Sequence, residues 1–111
     1  MTNPLPKSMR DRNRYIAYEI IQEDPGKLYD KKIISRTISR EILNFLGELG
    51  ASRASARLIR YDPKKRQGIF KVCHTDVDGA LCALALIRSI DNDRVIFNVL
   101  KISGTIKGCS Q

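Results

Sequence analysis

The sequence predicts one α+β domain of ferredoxin-like type, a four-stranded antiparallel sheet with two helices on one face. Three observations predict it. Residues 95–102, VIFNVLKI, are a run of β-branched and apolar side chains, which pack well on a pleated surface and suit a mostly buried strand. Two stretches, 31–49 and from 76 to about 90, place apolar residues three and four apart, as amphipathic helices do. Three further β-rich runs are set off by Asp24-Pro25-Gly26 and Asp62-Pro63, which gives the order β-α-β-β-α-β. Two right-handed β-α-β crossovers then interleave into one sheet and leave its second face uncovered.

Taken in order, residues 1–13 carry Pro4, Pro6, Lys7, Arg10 and Arg12 with no apolar period and read as a flexible basic arm. Residues 14–23 form the first strand, with Ile16, Tyr18 and Ile20 on one side and Tyr15, Ala17, Glu19 and Ile21 on the other. Apolar mass on both sides predicts an interior strand, and Glu19 is expected to pair with a neighbouring arginine. Pro25-Gly26 fits the centre of a type II turn. The helix over 31–49 is capped by Asp30, buries Ile34, Ile38, Ile42, Phe45, Leu46 and Leu49, and ends at Gly50 as a left-handed cap. Its other face shows Lys32, Arg36, Arg40 and Asn44.

A second strand over 53–61 sets Ala54, Ala56 and Leu58 against Arg53, Ser55, Arg57 and Ile59. Asp62-Pro63 and the cations Lys64, Lys65 and Arg66 turn it into a third strand over 68–74, with Phe70 and Val72 inward and Lys71 and Cys73 outward. Thr75 or Asp76 caps the second helix, which buries Val77, Leu81, Leu84 and Ile87. Asp91-Asn92-Asp93 then turns into the last strand. Boundaries follow: an arm over 1–13, a domain over 14–103 and a glycine-containing tail over 104–111. In that tail Gly104 and Gly108 free the backbone for positive φ or close approach, and Gly104, Thr105 and Ile106 read as a docking element for protein or RNA.

Length and charge bound the function. At 111 residues there is one core, burying roughly 65% of the unfolded surface. Lysine and arginine number 20 against 12 acids, a formal charge of +8, which points to a polyanion. No apolar run reaches the ~18 residues of a membrane span and no signal-peptide pattern is present, so a cytoplasmic protein is expected, with no membrane partner. Cys73, Cys82 and Cys109 lack metal spacing, and Cys73 and Cys82 read as small core residues of a reducing compartment. His74, Asp76 and Asp78 suit helix capping better than a metal, because an EF-hand's further oxygen ligands are missing. One histidine assembles no nucleophilic triad, so no catalytic residue and no protein-bound cofactor are expected.

The uncovered face would show Arg57 and Lys71, with Glu19 and Asn98 nearby. Its third strand lacks the outward aromatics on which an RNA-recognition domain stacks bases, since Phe70 points inward. Coulombic attraction with little base specificity is what remains. We therefore assign phosphate contacts to Arg10, Arg12, Arg14, Arg57, Lys71 and Lys107.

The residues also carry a resemblance. Arg14-Tyr15-Ile16 with Glu19-Ile20, then Asp24-Pro25, then Phe97-Asn98, Leu100 and the terminal Ser103-Gly104-Thr105-Ile106-Lys107 with Cys109 resemble the protein component 2 family of ribonuclease P, shared by archaea and eukaryotes. The likeness covers nearly all of 14–109, and the small size is similar to archaeal members. It implies a non-catalytic subunit of an endonuclease, a ribonucleoprotein hydrolase that removes the 5′ leader of precursor tRNA. The RNA subunit, with Mg²⁺, does the hydrolysis. Implied partners are ribonuclease P RNA, protein component 3 and the other ribonuclease P protein subunits, with precursor tRNA met indirectly; a homodimer within a heterotetramer is one arrangement it permits. Two other classes share the strand and helix order. Asp24-Pro25-Gly26 with Leu28 is similar to the first loop of amino-acid-sensing ACT modules, and titration with amino acids tests that alternative. An acylphosphatase-like hydrolase would need an anion-cradling loop with an arginine between Glu23 and Asp30, which is missing.

Overall fold

A computed structural model describes residues 12–110. Along the chain run β1 (Asn13–Gln22), α1 (Lys31–Ala54), β2 (Arg57–Asp62), β3 (Gln67–Cys73), a 3₁₀ turn (His74–Asp76), α2 (Val77–Leu86), β4 (Ser89–Ile90), β5 (Asp93–Ser103) and α3 (Ile106–Ser110). The sheet is antiparallel with strand order β2-β3-β1-β5-β4. β1 is interior, as its two apolar sides require, and a bulge between Ala17 and Tyr18 interrupts its pairing with β5.

One face of the sheet packs on α1 and α2. Ile16, Tyr18, Ile20, Phe70, Val72, Val95 and Phe97 from the strands meet Ile34, Ile38, Ile42, Ala80, Ala83 and Leu84 from the helices. Tyr18 sits at the centre, its ring 6.0 Å from Phe70 edge-on and 5.4 Å from Phe97. Its hydroxyl and that of Tyr61 are buried without a hydrogen-bond partner, and burial pushes the Tyr18 phenol pKa far up. Gly68 makes room for that ring: a Cβ there would lie 2.6 Å from the Tyr18 hydroxyl and 2.9 Å from the carbonyl oxygen of Arg60.

The architecture corrects the four-strand, two-helix expectation. α2 stops at Leu86 instead of near Ile90, because Ser89–Ile90 turns back onto β5 through Asp91 and Asn92, both at positive φ (49° and 68°). That conformation suits a two-residue hairpin turn and is tolerated best by Asn and Asp after glycine. The tail folds into α3, so the second face is not left bare.

α1 also outruns its predicted end. Gly47 leaves helical geometry (φ 78°), but Ala51, Arg53 and Ala54 favour helix and the chain resumes it until Ser55, which is left-handed (φ 48°) and donates its N–H to the Ala51 carbonyl. Gly50, expected as the cap, is instead buried in the helix, where a Cβ would lie 2.8 Å from Leu46 Cβ. The break rephases the apolar stripe, so Leu49 is 87% exposed; before the break Leu46 packs against the core and leaves Phe45 46% exposed. Residues 53–56 precede β2 for the same reason. At the other end Asp30 caps as predicted, its carboxylate accepting from Ile33 N at 2.9 Å.

Smaller corrections follow from local hydrogen bonding. Among the described glycines only Gly47 has positive φ, so the turn at Pro25-Gly26 is not type II; the Asp24 carboxylate accepts from Gly26 N at 3.0 Å instead. Asp76 does not cap α2: its carboxylate accepts from both Nε and Nη2 of Arg53, at 3.2 and 2.9 Å, and from the Thr75 hydroxyl. The Arg53 fork outweighs burial and holds the Asp76 pKa below the usual carboxylate range. Cys82 is exposed rather than in the core, because α2 turns Ala80, Ala83 and Leu84 inward. Val77 and Leu81 only border the core for the same reason, and Cys73, predicted outward, is buried.

Candidate nucleic-acid interface

Alternation sends Tyr15, Ala17, Glu19 and Ile21 to the face of β1 opposite the helices. Strand register then aligns whole rows across that outer face. Arg57, Lys71, Tyr15 and Ser103 form one row, and Arg60, Ile69, Ala17 and Lys101 the next. Asp62, Gln67, Glu19 and Asn98 form the third. Arg57 and Lys71 thus lie directly opposite each other, as do Arg60 and Ile69. In the third row the Asn98 amide donates to Glu19 Oε1 at 3.0 Å, in place of the expected arginine.

α3 covers the middle of this face. Cys109 and Ile106 pack on Ala17, Ile69 and Tyr15, and the Cys109 thiol donates to the Tyr15 carbonyl at 3.0 Å. Ser103 Oγ accepts from Thr105 N at 3.2 Å, and Thr105 Oγ1 accepts from Gly108 N at 3.0 Å, which closes the short helix. Gly108 is needed for close approach, since a Cβ there would lie 2.1 Å from Ser103 Oγ. Gly104 needs neither positive φ nor close approach: a Cβ there would only come within 4.0 Å of Arg14 Nη1. Ile106 is therefore partly buried in the chain's own fold, while Gly104, Thr105 and Lys107 stay exposed.

Between α3 and the β2–β3 hairpin lies a cleft of about 440 Å³. Ala17, Ile69, Leu100 and Cys109 line it with apolar surface, and Arg60, Lys65 and Lys101 with positive charge. The acid beside them, Asp62, is turned into the hairpin, where its carboxylate accepts from Lys64 N at 2.9 Å and Lys65 N at 3.4 Å. Among the described residues, Arg57, Arg60, Lys65, Lys71, Lys101 and Lys107 make no side-chain hydrogen bond or ion pair. Like charges set opposite one another cost stability. Six such cations make this face electropositive.

The remaining assigned residues are scattered. Arg14 takes the inner parity of β1, opposite Val72, and its guanidinium donates to the Asn13 carbonyl at 3.0 Å. Arg12 is exposed beside it, its carbonyl accepting from His74 N. Arg10 lies outside the described residues. Arg66, counted in the basic hairpin tip, is tied down: Nε donates to Gln22 Oε1 at 2.9 Å and Nη2 to the Pro25 carbonyl. Strand parity missed Arg60 and Lys101. The signal for Arg60 was Leu58 and Tyr61, two apolar residues three apart in a strand, which both face inward only across a bulge such as the one between Leu58 and Arg60.

Loop 23–30 also answers the amino-acid-binding alternative. Asp24 N donates to Asp93 Oδ1 at 3.0 Å and Gly26 N to Asp24, so these amides are already engaged. Asp93 is buried and also accepts from the Tyr29 hydroxyl at 3.1 Å; burial and this bond push the Tyr29 pKa up to about 12. Among the described residues no His, Cys, Asp and Glu cluster could hold a metal, and no helix is long and apolar enough to cross a membrane.

The same fold occurs in a chain of the cryo-EM structure of yeast ribonuclease MRP, with a TM-score of 0.71 at 14% identity over 89% of this chain and 79% of that one. Sequence relatives are closer. Ribonuclease P protein component 2 of Thermococcus kodakarensis is 40% identical over 93% of this chain and 83% of its own length. That of Archaeoglobus fulgidus is 37% identical over 96% and 93%. The model of the Rpp14/Pop5 family matches residues 14–111, the whole sheet together with α3. Shared sequence along nearly its full length makes this chain a member of the Rpp14/Pop5 family.

Proposed function

We propose that this chain is a protein subunit of ribonuclease P that supports the RNA removing the 5′ leader of precursor tRNA, acting as a cationic brace. One observation carries the physical part: six cations without partners among the described residues surround the outer sheet face, led by the opposed Arg57 and Lys71. Cations held apart from carboxylates keep their full attraction for phosphate, and placing them between RNA segments lowers the repulsion of a compact fold. Lys107 on α3 is one of the six, exposed Arg12 lies at the start of β1, and Arg14 and Arg10, the latter outside the described residues, are proposed as further phosphate contacts. Hydrolysis and its Mg²⁺ belong to the RNA in this reading, and precursor tRNA is met through the RNA.

The protein partners, component 3 among them, need an apolar surface. Leu43, Phe45 and Leu49 on α1 are exposed and supply one away from the cations. Exposed Gly104 and Thr105 are a second docking place. A cytoplasmic particle, with this chain as a single copy or paired, fits the reading.

Reconstitution tests it. Particles assembled with and without the chain are compared for precursor cleavage at limiting magnesium. Faster cleavage with the chain, and loss of that gain at high magnesium, is the expected result. Equal rates at limiting magnesium would overturn the reading.

A further inference from the structure

We infer that the cleft between α3 and the β2–β3 hairpin is a pocket for a single unpaired nucleobase, with its flanking phosphates held on the rim. The inference rests on the RNA reading and adds to it a base contact, where the cations alone would give only backbone contacts.

The cleft combines aliphatic and cationic lining beside α3. Half-exposed Leu100, beside buried Ile69, presents aliphatic surface to the cavity, a lining that favours a flat, weakly hydrated ring over a phosphate. Arg60, Lys65 and Lys101 stand around the same space without partners among the described residues, a disposition that suits the anionic groups on either side of one base. Asp62 shares the lining and offsets one of the three charges, leaving the cleft net positive; its Oδ1 accepts from two turn amides, and among the described residues it forms no ion pair with these cations. At about 440 Å³ the cavity is small-molecule sized, within the ~300–1,000 Å³ such sites occupy. Cys109 of α3 forms one wall, so the pocket exists only while α3 is docked. A base embraced by aliphatic walls is recognised by its faces rather than its edges, which makes the site tolerant of sequence.

The full chain is titrated with a short oligouridylate and with an abasic ribose-phosphate chain of the same length and charge. Wild type binds the base-bearing chain more tightly, by about fivefold or more, what burying ~40 Å² of apolar surface contributes. Leu100→Ser trims an exposed side chain and leaves the charge unchanged. It removes most of that preference without altering the salt dependence. Lys101→Gln weakens both chains alike and lowers the slope of log affinity on log salt by about 0.7. Equal wild-type affinity for the two chains would overturn the pocket while leaving the RNA reading standing. Binding of neither would overturn both.

Discussion

Replacing Arg57 and Lys71 together by glutamine separates binding from stability in one variant. The two side chains face each other across β2 and β3, with no carboxylate partner among the described residues. Each phosphate neutralised on a single strand or duplex contributes about 0.7–0.9 to the slope of log affinity on log salt. Six cations therefore give a slope of about −4.2 to −5.4, so that raising salt from about 50 to 200 mM weakens binding by roughly 300- to 2,000-fold. Removing two of them lowers the slope to about −2.8 to −3.6 and, at about 100 mM salt, costs roughly 25- to 60-fold in affinity. Relief of the cross-strand repulsion acts in the opposite sense on the fold, raising stability by about 0.2–1 kcal/mol. Filter-binding titrations against ribonuclease P RNA at several salt concentrations read the first effect, and denaturant unfolding reads the second. A slope unchanged within error, with the stability gain present, would show that the RNA does not touch this row and would refute the reasoning.

Two further variants probe the frame that holds the face. Gly68→Ala drives a methyl against the Tyr18 ring and the fixed Arg60 carbonyl, so overpacking costs about 2–3 kcal/mol and calorimetry should show a melting temperature lower by roughly 10 °C or more. Asp76→Asn removes the charge that Arg53 grips. Because the folded pKa of Asp76 is depressed, its contribution is present above the ordinary carboxylate pKa of about 3.9 and is lost as pH falls through the depressed value. Arg53 is largely exposed, which screens the pair, so the variant should melt only about 2–4 °C below wild type at pH 7. The two melting curves should converge in acid; a gap that persisted there would assign the loss to packing instead of charge.

Much of this was legible in the sequence where a single period governed a segment. Alternation placed Ile16, Tyr18, Ile20, Phe70 and Val72 inward and Lys71 outward, and three-and-four spacing found Ile34, Ile38 and Ile42. Reading failed where the period broke. Gly47 rephased α1, which exposed Leu49 and carried the helix on to Ala54. The bulge after Leu58 moved Arg60 to the outer face, and that bulge arises from pairing with β3, which no local propensity encodes. Asp76 reads as a cap from its neighbours alone; only the tertiary approach of Arg53 makes it the anchor of an ion pair.

The tail shows most clearly how a local feature sets the chemistry of the whole face. Two glycines near the end of the chain read as hinges, yet their strongest consequence is that Gly108 lets α3 come down on Ser103 and bring Cys109 over Ala17 and Ile69. An RNA-recognition domain of related topology stacks bases in the middle of its sheet. Here that middle holds the chain's own helix, packed on Tyr15, Ala17 and Ile69. In the proposed reading, nucleic acid meets the sheet beside α3, where Arg57, Lys71, Arg60 and Lys101 project. The same helix that closes the centre supplies a wall of the cleft beside it, so losing α3 would trade one shaped pocket for an open aliphatic surface and leave the phosphate contacts largely as they were.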